Sequence, residues 1–218
     1  MKKEKLDILY EDKFLVAVNK KSGLLTIAND KEKERTLYHE VREYLRKKNN
    51  KVFIIHRLDK DTSGIVIFAK SEKIKKIMQN NWASVKRNYL ALVHGILKNK
   101  KGTIKNYLKE TKTLYVYNSK EKTKDYAITE YEVINEYNNI SLLSINILTG
   151  KKNQIRVALN SINHPILGDR KYGKKDGMRN LCLHANRLEF IHPVTKKVIV
   201  LESKVPKYME KKIINHYF

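Results

Sequence analysis

Cysteine occurs once in the 218 residues, at Cys182. A single thiol excludes a disulfide framework and a cysteine-built zinc site, and it fits a reducing compartment. Long apolar runs are absent as well, and no window reaches the roughly 20 residues that a bilayer crossing needs. The first seven residues, Met1 to Asp7, carry positive charge, but no apolar segment of the secretory kind follows. A cytoplasmic protein with no membrane partner is therefore expected. Glycine is scarce, eight in all, and none falls in Walker or Rossmann spacing. Neither a repeat, a low-complexity run nor a linker divides the chain. The length supports one sizeable core or two packed subdomains without metal or disulfide, and residues 1–218 read as a single domain. Acidic residues are also few: 23 Asp and Glu face 46 Lys and Arg, a net charge of +23. Such an excess points to a polyanionic partner, nucleic acid above all, although a Lys-, Asn- and Ile-rich composition also raises the charge of a merely solvated surface.

What is present is organised around residues 51–71. Val52 to Ile55 and Ile65 to Ala69 are short, β-branched and bounded by polar residues, as buried strands are. Between them lie His56, Arg57, Asp59, Asp61, Thr62 and Ser63, a polar loop mounted on two core strands. Three readings compete. Asp61 suits a turn in which its side chain holds the amides of Thr62 and Ser63 while Gly64 takes an unusual φ. A calcium loop matches Asp59, Asp61, Ser63 and Gly64 but fails at its twelfth position, which is Lys70 where a bidentate Glu is required. Asp59, at the mouth of a strand with Arg57 beside it, reads as a catalytic carboxylate.

Elsewhere Leu6, Ile8 and Tyr10 alternate as a half-buried strand, and Phe14 to Asn19 is the continuous run of a central one. Lys20 to Gly23 turn before Leu24 to Ile27, a segment read as scaffold. Asn29 to Arg35 is charged and breaker-like. Thr36 and Ser71 are placed to cap helices carrying Leu37, Val41, Tyr44 and Leu45, and Ile74, Ile77, Met78 and Trp82. Lys86 to Gly95 reads as a strand in which His94 is structural. The basic, tyrosine-rich stretch from Lys98 to Asn139 has short strands near Leu114 to Tyr117 and Tyr126 to Ile134, and either grips RNA or is an ordinary antiparallel sheet. Ile140 to Leu148 alternates cleanly, then turns at Thr149-Gly150. Pro206 opens a terminal helix. His184 and His192 have no third ligand nearby, so no metal site is expected.

Three segments together resemble the RluA-type RNA pseudouridine synthases. His56-Arg57-Leu58-Asp59-x-x-Thr62-Ser63-Gly64 is similar to the family's signature, Lys86 to Gly95 to its second, with Tyr89, and Thr149-Gly150-Lys151-Lys152-Asn153-Gln154-Ile155-Arg156 to its third, extended through His164 to Gly173 and Leu183-His184-Ala185. Lys21 stands where the family usually has Pro, Lys151 where it has Arg, and Asn153 where it has His.

The resemblance implies an α+β catalytic fold, a mixed and largely antiparallel sheet flanked by helices with a central cleft. It implies isomerisation of uridine to pseudouridine in structured RNA, ribosomal or transfer, with no cofactor. Asp59, Tyr89 and Arg156 are the catalytic residues it implies, Arg156 partnering the carboxylate and Tyr89 lying against the flipped uracil. Arg57 would fill the gap that the base leaves, and His56, Thr62, Lys151, Asn153 and Gln154 are the other RNA contacts. A monomer without the extra RNA-binding domain that often precedes this one in the family is expected. The rivals are an RNA glycosidase releasing free uracil and a catalytically silent RNA-binding or ribosome-assembly protein.

Overall fold

A computed structural model of the chain describes residues 6–28 and 32–214. Asn29 to Lys31 of the breaker-like stretch, and Met1 to Lys5 of the charged start, lie outside the described residues. In chain order the first elements are β1 (Ile8–Glu11), β2 (Leu15–Lys20), α1 (Leu37–Arg46), β3 (Phe53–Ile54), β4 (Ser63–Ala69) and α2 (Glu72–Asn80). After them come β5 (Lys86–His94), β6 (Lys101–Glu110), β7 (Val116–Ser119), β8 (Tyr126–Tyr137) and β9 (Ile140–Ile147). The chain closes with α3 (Gln154–Ser161), β10 (Leu183–Ile191), β11 (Val198–Glu202) and α4 (Lys207–Ile214). The fold is α+β, and it forms two compact units: Met1–Lys86 with Ala185–Lys204, and Arg87–His184 with Val205–Phe218.

In the first unit β2 pairs antiparallel with β1 and, over Leu15↔Ala69 to Lys20↔Gly64, with β4. Both central strands are continuous apolar runs because both of their faces are covered; Leu15 to Val18 and Ile65 to Ala69 are fully buried. Each such Val, Leu or Ile contributes roughly 1.5–3 kcal/mol by leaving water. In α1 the side chains of Leu37, Val41 and Leu45 are buried, and Ile74 and Met78 from α2 join the core of Leu15, Ala17, Ile65 and Ile67. Both caps form as expected: Thr36 Oγ1 accepts from the His39 amide (3.1 Å) and Ser71 Oγ from the Ile74 amide (3.3 Å). Trp82 packs against the same core, but from a 3₁₀ turn beyond the end of α2, not from the helix.

The second unit holds the antiparallel order β5-β9-β8-β6-β7. Along β9 the alternation reads directly as burial: Leu143, Ile145 and Ile147 enter the core while Leu142, Ser144 and Asn146 do not. The basic stretch is more regular than its composition suggests, since β6 occupies ten residues and β8 twelve. Leu114 belongs to no strand; it sits at φ +62° in the turn, and β7 starts only at Val116. Helix α3 follows the Thr149-Gly150 turn, and its Ile155, Ala158 and Leu159 join the core around Leu143 and Ile145. Cys182 is buried there, which pushes its thiol pKa up to about 12.

Candidate functional site

The loop carrying Asp59 begins where β3 stops. Pairing with β4 covers only Phe53↔Ala69 and Ile54↔Phe68, so the chain then leaves the ladder and the Ile67 amide needs another acceptor. His56 supplies it: Nε2 accepts from Ile67 N at 3.0 Å, which puts the proton of the neutral ring on Nδ1, and the ring stacks on Trp82 at 4.3 Å. The sequence suggests His56 as an RNA contact; the structure gives it a task inside the fold.

The peptide before Asp59 is held from both sides. Thr26, itself buried, donates through Oγ1 to the Leu58 carbonyl (2.7 Å) and accepts from the Leu58 amide (3.2 Å). After Asp59, the Lys60 carbonyl accepts from Lys20 Nζ (2.9 Å) and from the Gly23 amide (3.0 Å), and the Asp61 carbonyl accepts from Ser22 Oγ (2.7 Å). The turn closes through the main chain, with the amide of buried Thr62 donating to the Asp59 carbonyl at 3.2 Å. Gly64 ends it at φ +116°. Both flanks are strands, as the rejection of a calcium loop requires. Asp59 is half-buried, and Arg57 and Asp61 are exposed.

Lys20, which the sequence suggests only as scaffold, lies beneath the Asp59 loop. It is 1% exposed, and its ammonium donates to the carbonyls of Lys21 (3.1 Å), Leu24 (2.7 Å) and Lys60 (2.9 Å). Burial lowers its pKa to about 7, against the opposing pull of the Asp61 and Asp59 carboxylates. Its one sequence signal is position: a Lys at the last residue of an apolar central strand has to be either buried or snorkelling.

The second unit carries Tyr89 and the third signature. Tyr89 lies in register with Ile145 and packs against the core of that unit. Gln154, expected to meet RNA, uses all four of its side-chain hydrogen-bonding positions internally: it accepts from Thr149 Oγ1 (2.8 Å) and Lys151 N (3.0 Å), and donates to Ile128 O (2.9 Å) and Thr129 Oγ1 (3.0 Å). It pins the turn to β8. Asn153 takes φ +54° ahead of α3, accepts from Arg156 Nη1 at 3.2 Å and donates to the Tyr172 hydroxyl at 3.1 Å. Lys151 is half-exposed and pairs with Asp125 at 2.9 Å.

Arg156 is buried, and within its unit its carboxylate partner is Asp169, gripped through Nε (2.8 Å) and Nη2 (2.7 Å). Asp169 also accepts the amides of Lys171 and Tyr172, so it is fixed before it meets the arginine. In the sequence Asp169 falls within a loop to which no role is assigned. The clue was its place in His164-Pro165-Ile166-Leu167-Gly168-Asp169, a carboxylate just after a glycine at φ +75°. Each unit thus assembles its own share of the expected residues: His56, Arg57, Asp59 and Thr62 on one loop, and Tyr89, Lys151, Asn153, Gln154 and Arg156 on one strand and one turn-helix. Among the described residues no group of three or more His, Cys, Asp or Glu could hold a metal ion. No helix among them is long and apolar enough to cross a membrane.

A family model described as RNA pseudouridylate synthase matches residues 14–161. An uncharacterized RNA pseudouridine synthase of Bacillus subtilis, YhcT, is 34% identical over 98% of this chain and 72% of its own length. The ribosomal large subunit pseudouridine synthase C of Buchnera aphidicola is 34% identical over 89% of this chain and 65% of its own. The tRNA pseudouridine synthase C of Haemophilus ducreyi is 33% identical over 91% and 90%. In fold, the chain is similar to the solved structure of human RNA pseudouridylate synthase domain containing 4, with a TM-score of 0.80 at 22% identity over 97% of this chain and 93% of that one.

Proposed function

The chain belongs to the RNA pseudouridylate synthase family and isomerises uridine in RNA, and on that premise we propose that Asp59 is its essential carboxylate, acting on a uridine turned out of a structured ribosomal or transfer RNA. The reaction breaks the bond from ribose C1′ to N1, turns the uracil, joins C1′ to C5, and moves the C5 proton away while N1 gains one. It is redox-neutral and is written without a cofactor. Asp59 attacks the sugar, attacks the base or removes a sugar proton, and each of these roles needs the carboxylate ionised and still. The observation that carries the reading is the clamp on Leu58 and Lys60, which fixes the backbone on either side of Asp59 and brings the Lys20 ammonium beneath the loop. Tyr89 and Arg156 are the further catalytic residues of this reading.

Extruding the base costs roughly a few kcal/mol of stacking and pairing. Arg57, exposed beside Asp59, fills the space with its planar guanidinium. Lys151, with its half-exposed ammonium, meets phosphate. The enzyme works as a cytoplasmic monomer. The test is a pair of substitutions two residues apart. Asp59→Asn keeps the shape but removes the charge, so pseudouridine measured by mass spectrometry should vanish while the thermal melt and RNA affinity persist. Asp61→Asn should leave substantial activity, because the Asp61 group held by the fold is its main-chain carbonyl. An active Asp59→Asn enzyme refutes the assignment, and free uracil as product would replace the synthase with a glycosidase.

A further inference from the structure

Arg87 lies two residues before Tyr89 on β5, on the same face of the strand. It is only 8% exposed, yet no carboxylate among the described residues pairs with it. Its guanidinium has five N–H donors. One is spent on a long bond from Nη2 to the Ile147 carbonyl (3.3 Å), and the buried Nε has no partner. Buried guanidinium groups are held by acids, because an unpaired charge away from water is costly. The remaining nitrogen, Nη1, opens beside Gly150, where an added Cβ would stand 3.0 Å from it. The missing side chain at the Thr149-Gly150 turn leaves this donor reachable.

The geometry points to Arg87 as a phosphate-binding residue: Nη1, uncovered at Gly150, takes a non-bridging oxygen of the RNA backbone close to the nucleotide that Tyr89 faces. This rests on the RNA-modifying reading of the site. RNA brings one anionic phosphate per nucleotide, and a guanidinium that lacks a counter-ion needs charge, which the neutral uracil oxygens do not provide. Two residues of strand span about 6.7 Å, so the phosphate belongs to the nucleotide against Tyr89 or to its neighbour.

The test uses the full chain and a stem-loop RNA that it converts, with affinity measured across a salt series. Arg87→Gln should lose about tenfold in affinity at moderate salt. The slope of log K against log salt should become shallower by about 0.7–0.9, one phosphate contact. Arg87→Lys should keep the wild-type slope. Gly150→Ala retains the charge but covers Nη1, and should weaken binding in the same direction with an unchanged melt; it decides the matter if Arg87→Gln does not fold. A folded Arg87→Gln with wild-type affinity and slope overturns the proposal. So does a loss confined to turnover, which would make Arg87 a partner of the base or of Tyr89. If the wild-type chain binds RNA with the expected slope change but forms no pseudouridine, the phosphate site stands and the catalytic reading falls.

Discussion

The hydroxyl of Thr26 holds both polar groups of Leu58, donating to its carbonyl at 2.7 Å and accepting from its amide at 3.2 Å. One side chain distant in sequence therefore does for the residue before Asp59 what a neighbouring strand would do. Thr26→Val keeps the shape and removes both bonds, leaving a buried amide and carbonyl unsatisfied. A loss of about 1–3 kcal/mol in urea unfolding is expected, with a fall in pseudouridine formation that Thr26→Ser restores. Unchanged stability and rate in Thr26→Val would mean that the clamp does not hold the loop.

Lys20 gives a pH signature. Its pKa falls from 10.5 unfolded to about 7 folded, because burial penalises the ammonium. Between those values the unfolded chain binds a proton that the folded chain lacks, so this group's contribution to stability rises as pH increases from 7 towards 10.5, by at most about 1.4 kcal/mol per pH unit. Below pH 7 both states are protonated and the contribution is flat. Lys20→Met removes the titration and leaves three carbonyls without their donor. The variant should melt lower, and the gap between it and the wild type should widen from pH 7 to pH 9.5. A gap of constant size counts against the shift.

The Arg156 and Asp169 pair is bidentate and lies away from water. Asp169→Asn is nearly isosteric, yet it takes away the charge that Arg156 grips through two bonds and should lower stability in chemical denaturation, by up to about 3–5 kcal/mol. Arg156→Lys keeps the charge but cannot match both carboxylate oxygens, so it should also be less stable. Wild-type unfolding curves for Asp169→Asn would show that the pair does not contribute.

Gly64 and Gly23 separate two kinds of backbone demand. A Cβ on Gly64 would lie 2.2 Å from the Ala185 carbonyl oxygen, whereas Gly23, at φ +84°, has nothing within 4 Å. Gly64→Ala should cost about 1–3 kcal/mol of overpacking, since main chain must move, added to the backbone penalty of its φ of +116°. Gly23→Ala should cost only the left-handed backbone, about 1–2 kcal/mol. Similar thermal melts for the two variants would contradict this ranking.

Much of this was legible from residue order. The runs at Phe14 to Asn19 and Ile65 to Ala69, the alternation through Leu143, Ile145 and Ile147, and the caps at Thr36 and Ser71 all depend on neighbours close in sequence, and they formed as read. The strand β6 was hidden because Lys101 to Glu110 offers only Ile104, Leu108 and Asn106 to the interior amid lysines. Partners distant in sequence were hidden altogether. Periodicity tells which face Lys20 or Gln154 occupies, but not that Lys60 or Thr129 waits there, and in the loop that holds Asp169 no period points to Arg156.

The first unit is built from two pieces of chain, and its core needs Leu188, Phe190 and Leu201 from the second. A ribosome making about 5–20 residues per second takes roughly 6–24 s to travel from Lys86 to Lys204. For most of that time Leu15, Ile65 and Ile67 are outside the tunnel with part of their cover unmade, while the whole 87–184 segment is made in between. The nascent chain therefore completes its first-born residues nearly last, and an amber codon after His184 would yield no finished half-protein but an open core ready for a chaperone.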